Sequence, residues 1–330
     1  MKKKSVYYWS PFLTPIATCK AVINSAYCIN KFSKKFDAKI INFYGEFDKN
    51  IDDIESKNIE TVRFYNNNFL NYFPKYGKIF SRISFIFFFI LGFFPLIKLL
   101  KTNKPNYLII HLITSLPLIL LILFNFETKF ILRISGMPKL NIFRKFLWKI
   151  ALKKIFLITC PTKETYNYIK SLKLCNEEKV KILFDPVINV NEIRNKIKQD
   201  ANIEDNNYYV AIGRLTIQKN FLFLCKCFKE LKKKNPEIKL YIIGEGEEFY
   251  LINHYINKQK LLKNIKLVGY KQNIFPYFKR ASGFILSSFW EDPGFVLIEA
   301  GFCRIPVFST DAKPGPYEII KDNINGTNFI

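Results

Sequence analysis

Acidic residues are scarce in this sequence: 27 Asp and Glu stand against 51 Lys and Arg, for a formal net charge of +24. So lopsided a balance points to an anionic partner, and nucleic acid and acidic lipid headgroups both qualify. Nucleic acid lacks its signatures, because no helix-turn-helix pattern, zinc-finger spacing or basic-aromatic RNA-binding motif occurs. An anionic membrane surface is therefore the expected partner, and nucleic acid is not. The seven cysteines are odd in number and fall in no metal-ligand spacing, which suits a reducing cytosol. Asp-x-Asp, a motif that holds a metal at a diphosphate, is also missing, so neither a metal nor another cofactor is expected. The apolar stretch after Lys2-Lys3-Lys4 ends at Ser10-Pro11, too soon for a signal-peptide core. Disorder is excluded by a hydrophobic content of 49% and an aromatic content of 17%. A chain of 330 residues suits two domains, each able to bury its own core.

The stretch from Ser282 to Gly301 organises the rest. An apolar run of strand length stops at small polar residues, crosses a short loop holding Glu291 and Asp292, and re-enters a helical pattern. Asp292 reads as the helix cap and Pro293 as a first-turn residue, while Gly294 lets a ligand approach the backbone. The free amides of such a helix start, from Gly294 through Phe295 and Val296, attract an anion, phosphate above all. Glu291 and Glu299 flank it as hydroxyl acceptors. Upstream, strand Tyr208 to Ile212 leads into Gly213-Arg214-Leu215 and then Lys219-Asn220, a glycine at a strand end followed by two cations. Arg offers paired donors to phosphate oxygens and Lys a point charge. The ligand inferred is anionic in its middle and polyhydroxylated at both ends, as a nucleotide-diphosphate sugar is.

Glu291, Glu299-Ala300, Pro306-Val307, Gly315-x-x-Glu318-Ile319-Ile320 and Asn325-Gly326 together resemble the donor-site signature of the retaining glycosyltransferase family 4. One departure is Arg304, where that family commonly has glycine. The resemblance implies a GT-B fold, in which two doubly wound, Rossmann-like α/β domains face each other across a cleft. It implies that Arg214 and Lys219 bind the donor phosphates, that Glu291 binds sugar hydroxyls and Glu299 the ribose, and that Gly244 and Gly246 form a strand-end loop beside the donor. His111 falls where relatives carry a histidine that hydrogen-bonds the donor sugar. His111, Glu291, Arg214 and Lys219 are thus the expected catalytic group. The first loop places Pro15-Ile16-Ala17-Thr18 where relatives often have a glycine pair, so Ala17 and Thr18 are read either as phosphate-binding amides or as an ordinary helix start. The family also implies a further helical stretch beyond Ile330 that packs back on the first domain.

Strands alternate with helices through both halves. Residues 1–190 are read as the acceptor-side domain, 191–207 as a polar hinge, and 208–330 as the nucleotide-sugar domain. Two apolar runs sit in the first. Ile83 to Ile97, with basic flanks, reads as an interfacial helix or as a buried one. Pro105 to Phe126 is long enough to span a bilayer, yet Asn106 to His111 is strand-like, Thr114-Ser115 signals a helix cap and Pro117 falls in the first turn. It is read as a buried strand and helix. Phe143 to Phe156 is a basic helix with an apolar stripe.

The expected function is transfer of a sugar, with retention of configuration, from a nucleotide-diphosphate donor, UDP being the commonest. The acceptor is a glycan or lipid-linked saccharide in bacterial surface polysaccharide synthesis. The enzyme is expected in the cytoplasm, peripheral at the inner face of the membrane. A noncatalytic membrane-associated scaffold with a degenerate donor site stays open as the alternative.

Overall fold

The computed structural model describes residues 3–13, 17–66, 80–134, 136–138, 140–199, 201, 203 and 205–329, with the backbone alone at 80–82. Lys2, Pro15, Ile16 and Ile330, among the residues discussed above, lie outside the described residues. The chain divides into two units, Met1–Pro186 and Val187–Ile330.

The first unit holds β1 (Lys4–Trp9), β2 (Phe36–Asn42), β3 (Glu60–Arg63), β4 (Tyr107–Ile110), β5 (Lys129–Arg133), β6 (Leu157–Cys160) and β7 (Val180–Ile182). These form one parallel sheet in the order β3-β2-β1-β4-β5-β6-β7. The second unit repeats the pattern with β8 (Tyr208–Ile212), β9 (Leu240–Ile243), β10 (Ile265–Gly269), β11 (Ala281–Leu286), β12 (Trp290–Glu291), β13 (Val307–Thr310), β14 (Lys313–Pro314) and β15 (Thr327–Phe329). Its main sheet runs β10-β9-β8-β11-β13-β15, and β12 pairs with β14 apart from it. A parallel sheet is covered by helices on both faces, so its strands read as unbroken apolar runs; every residue of β9, Leu-Tyr-Ile-Ile, is buried. In each unit the strand order reverses beside the first strand, at β1/β4 and at β8/β11. Ligands bind at the carboxyl ends of strands at such a switch point.

The run Pro105 to Phe126 is β4 followed by the helix Ser115–Leu123, whose Leu116, Leu118, Leu120 and Leu121 are buried. Its length of apolar chain is thus accounted for by two elements of one core. The run Ile83 to Ile97 belongs to a longer helix than expected, Phe80–Thr102, with Pro95 inside it. One side of that helix is buried and the other exposed. Ser84, Phe88, Leu96, Leu99 and Leu100 are buried, and a Cβ on Gly92 would meet Leu116 at 2.8 Å, so this stripe lies hard against the core. Ile83, Ile86, Phe87, Ile90 and Phe94 are exposed on the other. Residues 83–102 are apolar and long enough to cross a membrane, and one stripe of them packs on a strand-and-helix core.

The expected hinge needs correction. Within 191–207 lies most of the helix Val190–Lys198, capped by the Asn189 side chain accepting from Glu192 N, with Ile193 buried in the core of the second unit. Its charged residues are the solvent face of an amphipathic helix, which is why they read as linker. The chain passes from one unit to the next at Pro186–Val187 instead.

The helix Phe295–Phe302 ends in a Schellman turn. Arg304 N donates to Gly301 O at 3.0 Å and Ile305 N to Ala300 O at 3.4 Å, and Arg304 adopts φ +57°. Left-handed backbone suits glycine, and here an arginine carries it. Arg304→Gly is expected to raise stability by about 0.5–1 kcal/mol, once the greater freedom of the unfolded glycine is set against the relieved strain. A thermal melt reads this as an upward shift of a few degrees.

Candidate active site

Three loops at the carboxyl edge of the second sheet, following β8, β11 and β13, are tied together around one ion pair. Lys219 Nζ donates to Glu291 Oε1, and Ser288 Oγ donates to the same oxygen at 2.6 Å. Both charges are nearly out of water, with side chains 13% and 8% exposed. Ser287 Oγ donates to Lys219 O at 2.8 Å, Phe289 N to Gln218 O at 2.9 Å, and Gln218 Nε2 to Trp290 O at 2.8 Å. Thr310 Oγ1 donates to Ser288 O at 2.6 Å, which brings in the end of β13. The seven-residue stretch from Gly213 to Lys219 and the loop after β11 therefore act as a single piece. Arg214 is exposed beside it and makes no ion pair among the described residues.

Glycines set how close these loops can come. A Cβ on Gly244 would stand 1.9 Å from Gly213 O, and one on Gly246 would stand 2.3 Å from Leu215 O. Gly213 N donates to Ile243 O at 3.0 Å and Leu215 N to Glu245 O at 2.9 Å, so the loop after β9 backs the loop that carries Arg214. Gly244 and Gly246 thus shape the site by backbone contact with the Arg214 loop. A Cβ on Gly315 would stand 1.8 Å from Pro293 O, which gives the Gly315-x-x-Glu318 string its reason too: it braces the loop after Glu291.

The helix behind Glu291 starts later than its sequence suggests. It spans Phe295–Phe302, and its N-cap is Gly294 at φ +91°, with Asp292 and Pro293 both in the loop before it. A left-handed residue is needed to turn the chain there, and glycine takes it without a Cβ clash. The amides of Phe295 and Val296 open this helix, with no turn before them to supply an acceptor. Glu299 lies one turn further on and is buried. In the second unit Gly213, Arg214 and Lys219 thus lie on the segment after β8, Glu291, Pro293, Gly294, Phe295, Val296 and Glu299 on the segment after β11, and Gly244 and Gly246 on the loop after β9 that lies against the first of these. Gln218, Ser287, Ser288 and Thr310, which hold the ion pair in place, were not singled out from sequence. The signal for Ser287, Ser288 and Thr310 was only small hydroxyl residues at strand ends, and Gln218 carried none.

His111, Ala17 and Thr18 belong to the first unit. His111 follows β4 at the switch point of that sheet, its N donating to Trp9 O at 2.9 Å. The ring is buried, and its Nδ1 has no hydrogen-bond partner among the described residues. Burial, with the Arg133 guanidinium nearby, pushes its pKa down to about 3. The imidazole is therefore a neutral hydrogen-bonding group. Ala17 and Thr18 form the first turn of the helix Ala17–Phe32.

A family profile described as glycosyl transferases group 1 matches residues 192–329. An uncharacterized glycosyltransferase of Methanocaldococcus jannaschii is 31% identical over 326 residues, 90% of this chain and 74% of the relative. The chain belongs to the group 1 glycosyltransferases. The glycosyltransferase also resembles the N-acetylgalactosamine-N,N'-diacetylbacillosaminyl-diphospho-undecaprenol 4-alpha-N-acetylgalactosaminyltransferase of Campylobacter jejuni, at 25% identity over 67% of this chain and 59% of that one. Its fold is that of S. aureus TarM, solved with UDP, fondaparinux and alpha-GlcNAc-glycerol: the TM-score is 0.72 at 16% identity, over 100% of this chain and 90% of the other. The GT-B fold expected from the sequence is thereby established.

Two outcomes follow from the site's construction. Gly244→Ala must push the Arg214 loop away, at a cost of about 2 kcal/mol or more; calorimetry reads the loss, and nucleotide titration should show affinity falling with it. For His111, the unfolded ring takes up a proton near pH 6.5 and the folded ring only near pH 3, so stability falls as pH drops between those values. His111→Gln should flatten that limb by up to about 1.4 kcal/mol per pH unit in denaturant melts at pH 4 to 6.

Proposed function

We propose that this glycosyltransferase moves a sugar from a UDP-sugar to a lipid-linked glycan, with retention of anomeric configuration, in the synthesis of a bacterial surface polysaccharide. The observation that carries the reading is the paired Lys219 and Glu291 at the β8/β11 switch, with Arg214 exposed beside them. Departure of a diphosphate needs its growing charge met, and Arg214, Lys219 and the amides of Phe295 and Val296 supply that without a metal. Lys219 is already held by Glu291, so it meets the leaving group from a fixed position. Glu291 accepts Lys219 and Ser288 on one oxygen, which leaves the other for a sugar hydroxyl and suits binding better than in-line attack. With no carboxylate assigned as nucleophile, retention is assigned to front-face attack assisted by the leaving phosphate. Glu299 takes the ribose hydroxyls, and the neutral ring of His111 a hydroxyl of the donor sugar. UDP is favoured because TarM was solved with it, and a lipid-linked acceptor because the Campylobacter relative is named for one.

A lipid-linked acceptor places the enzyme at the inner face of the cytoplasmic membrane. The helices Phe80–Thr102 and Ile142–Lys154 both pack against Ser115–Leu123. The first exposes Ile83, Phe87, Ile90 and Phe94 above Lys98 and Lys101; the second exposes Ile142, Phe143 and Phe146 among Arg144, Lys145 and Lys149. Apolar side chains interleaved with cations suit the interface of an anionic bilayer.

A thermal-shift series with UDP-, GDP-, ADP- and TDP-sugars tests the donor. Selective stabilisation by a UDP-sugar, lost in Lys219→Ala and in Glu299→Ala, is expected; stabilisation by another nucleotide alone, or by none, overturns it. Flotation with vesicles tests the surface: binding should need anionic lipid, weaken with salt, and fall at least about tenfold in Phe94→Asp/Phe143→Asp.

A further inference from the structure

The edge of the second sheet carries an aromatic surface that the donor chemistry does not use. Phe289, Trp290 and Tyr317 are 58%, 49% and 56% exposed, and none belongs to the hydrophobic clusters of either unit. The Phe289 and Trp290 rings stack, within 20° of parallel with centroids 6.5 Å apart, and both remain exposed. Trp290 pairs in register with Lys313, whose Nζ stands 4.9 Å from the centre of the Tyr317 ring. Gln218, bonded to both Phe289 and Trp290 through the backbone, borders the same face. The rings are therefore displayed by loops fastened to one another.

Successive side chains of a strand point to opposite faces. Glu291 turns inward to Lys219, so Trp290, its neighbour in β12, turns away from the donor crevice. A group resting on Trp290 is separated from the reacting sugar by one strand of backbone. That position is wrong for the donor's base or sugar and suits a part of the acceptor that is not itself reacting. A pyranose presents a flat C–H face rimmed by hydroxyls, and the surface presents flat rings rimmed by an amide and an ammonium. Exposed patches of this kind mark binding sites.

We propose that Phe289, Trp290 and Tyr317 form a saccharide platform, which stacks an inner sugar ring of the acceptor glycan. The proposal rests on the reading above that the acceptor is a glycan. It makes the enzyme sensitive to a sugar beyond the one it extends.

The test uses a built-in probe. Of the three tryptophans, Trp9 and Trp148 are 0% and 2% exposed, so an aqueous quencher reaches Trp290 alone. Acrylamide quenching is measured on the whole protein with maltotriose, chitotriose, and the methyl glycosides of galactose and N-acetylgalactosamine, and separately with UDP. At least one saccharide should lower quenching saturably, by about twofold when roughly half the sites are filled. Phe289→Ala and Tyr317→Ala should each weaken that saccharide about tenfold, as loss of a stacking ring does, and Phe289→Tyr should restore it. Lys219→Ala should lose UDP but keep the saccharide, so shielding by a saccharide upholds the platform even if no nucleotide binds. Shielding by UDP and by no saccharide would make the surface a base platform and overturn the proposal. So would shielding that depends on protein concentration alone, or no shielding by any saccharide in protein that still binds UDP.

Discussion

A carboxylate and an ammonium held almost out of water at the end of β8 and β11 set the terms for the whole second unit. Each charge gives up much of its hydration, and only their mutual contact together with the Ser288 hydroxyl offsets that loss. Removing one partner would strand the other at a cost of about 3–5 kcal/mol. The pair can form only where two loops from separate strands meet; Gly213 leaves room there for the Lys219 side chain, and Gly244 and Gly246 let the loop after β9 lie against the backbone of the Lys219 loop. The residues that would meet a diphosphate are thus placed by contacts in which no diphosphate takes part.

The first unit follows the same topology under a different constraint. Its carboxyl edge holds polar groups that are buried and, among the described residues, partly unsatisfied, His111 among them, while its helical face leaves large apolar side chains exposed. At the edge, Arg133 Nη2 stands 2.8 Å from Asp185 Oδ2, and burial raises the Asp185 carboxyl against the pull of that guanidinium. Polar atoms hidden at a strand end and phenylalanines displayed on a helix are both costly in an isolated molecule. The proposed function gives each a partner, a hydroxylated ligand in the first case and a lipid surface in the second.

Legibility varied with the range of the interaction involved. The strands were readable because parallel β-structure buried on both faces is continuous in Val, Ile, Leu and Tyr, and turn residues bound it. The same logic resolved Pro105 to Phe126, where Thr114 and Pro117 break an apolar run into strand and helix. The helix Val190–Lys198 was taken for linker because only Ile193 of its residues is fully buried, too weak a stripe to outweigh its charges. The start of Phe295–Phe302 was misplaced because Asp292-Pro293 is a good cap signal locally, yet a left-handed Gly294 makes the turn. At Arg304 the departure from the family's glycine was visible, but its left-handed backbone was not.

What the amino-acid order alone determined is the alternation of strand and helix, the positions of the acids and cations at strand ends, and the family to which they belong. These depend on neighbours a few residues away, or on a string of residues that survives in one dimension. Only the tertiary structure decided that Lys219 closes on Glu291, that Gly244 is small because Gly213 O lies against it, and that Trp290 faces away from the site its neighbour serves. Those relations join residues far apart in the chain, and they exist only once parallel strands bring their carboxyl ends to one edge.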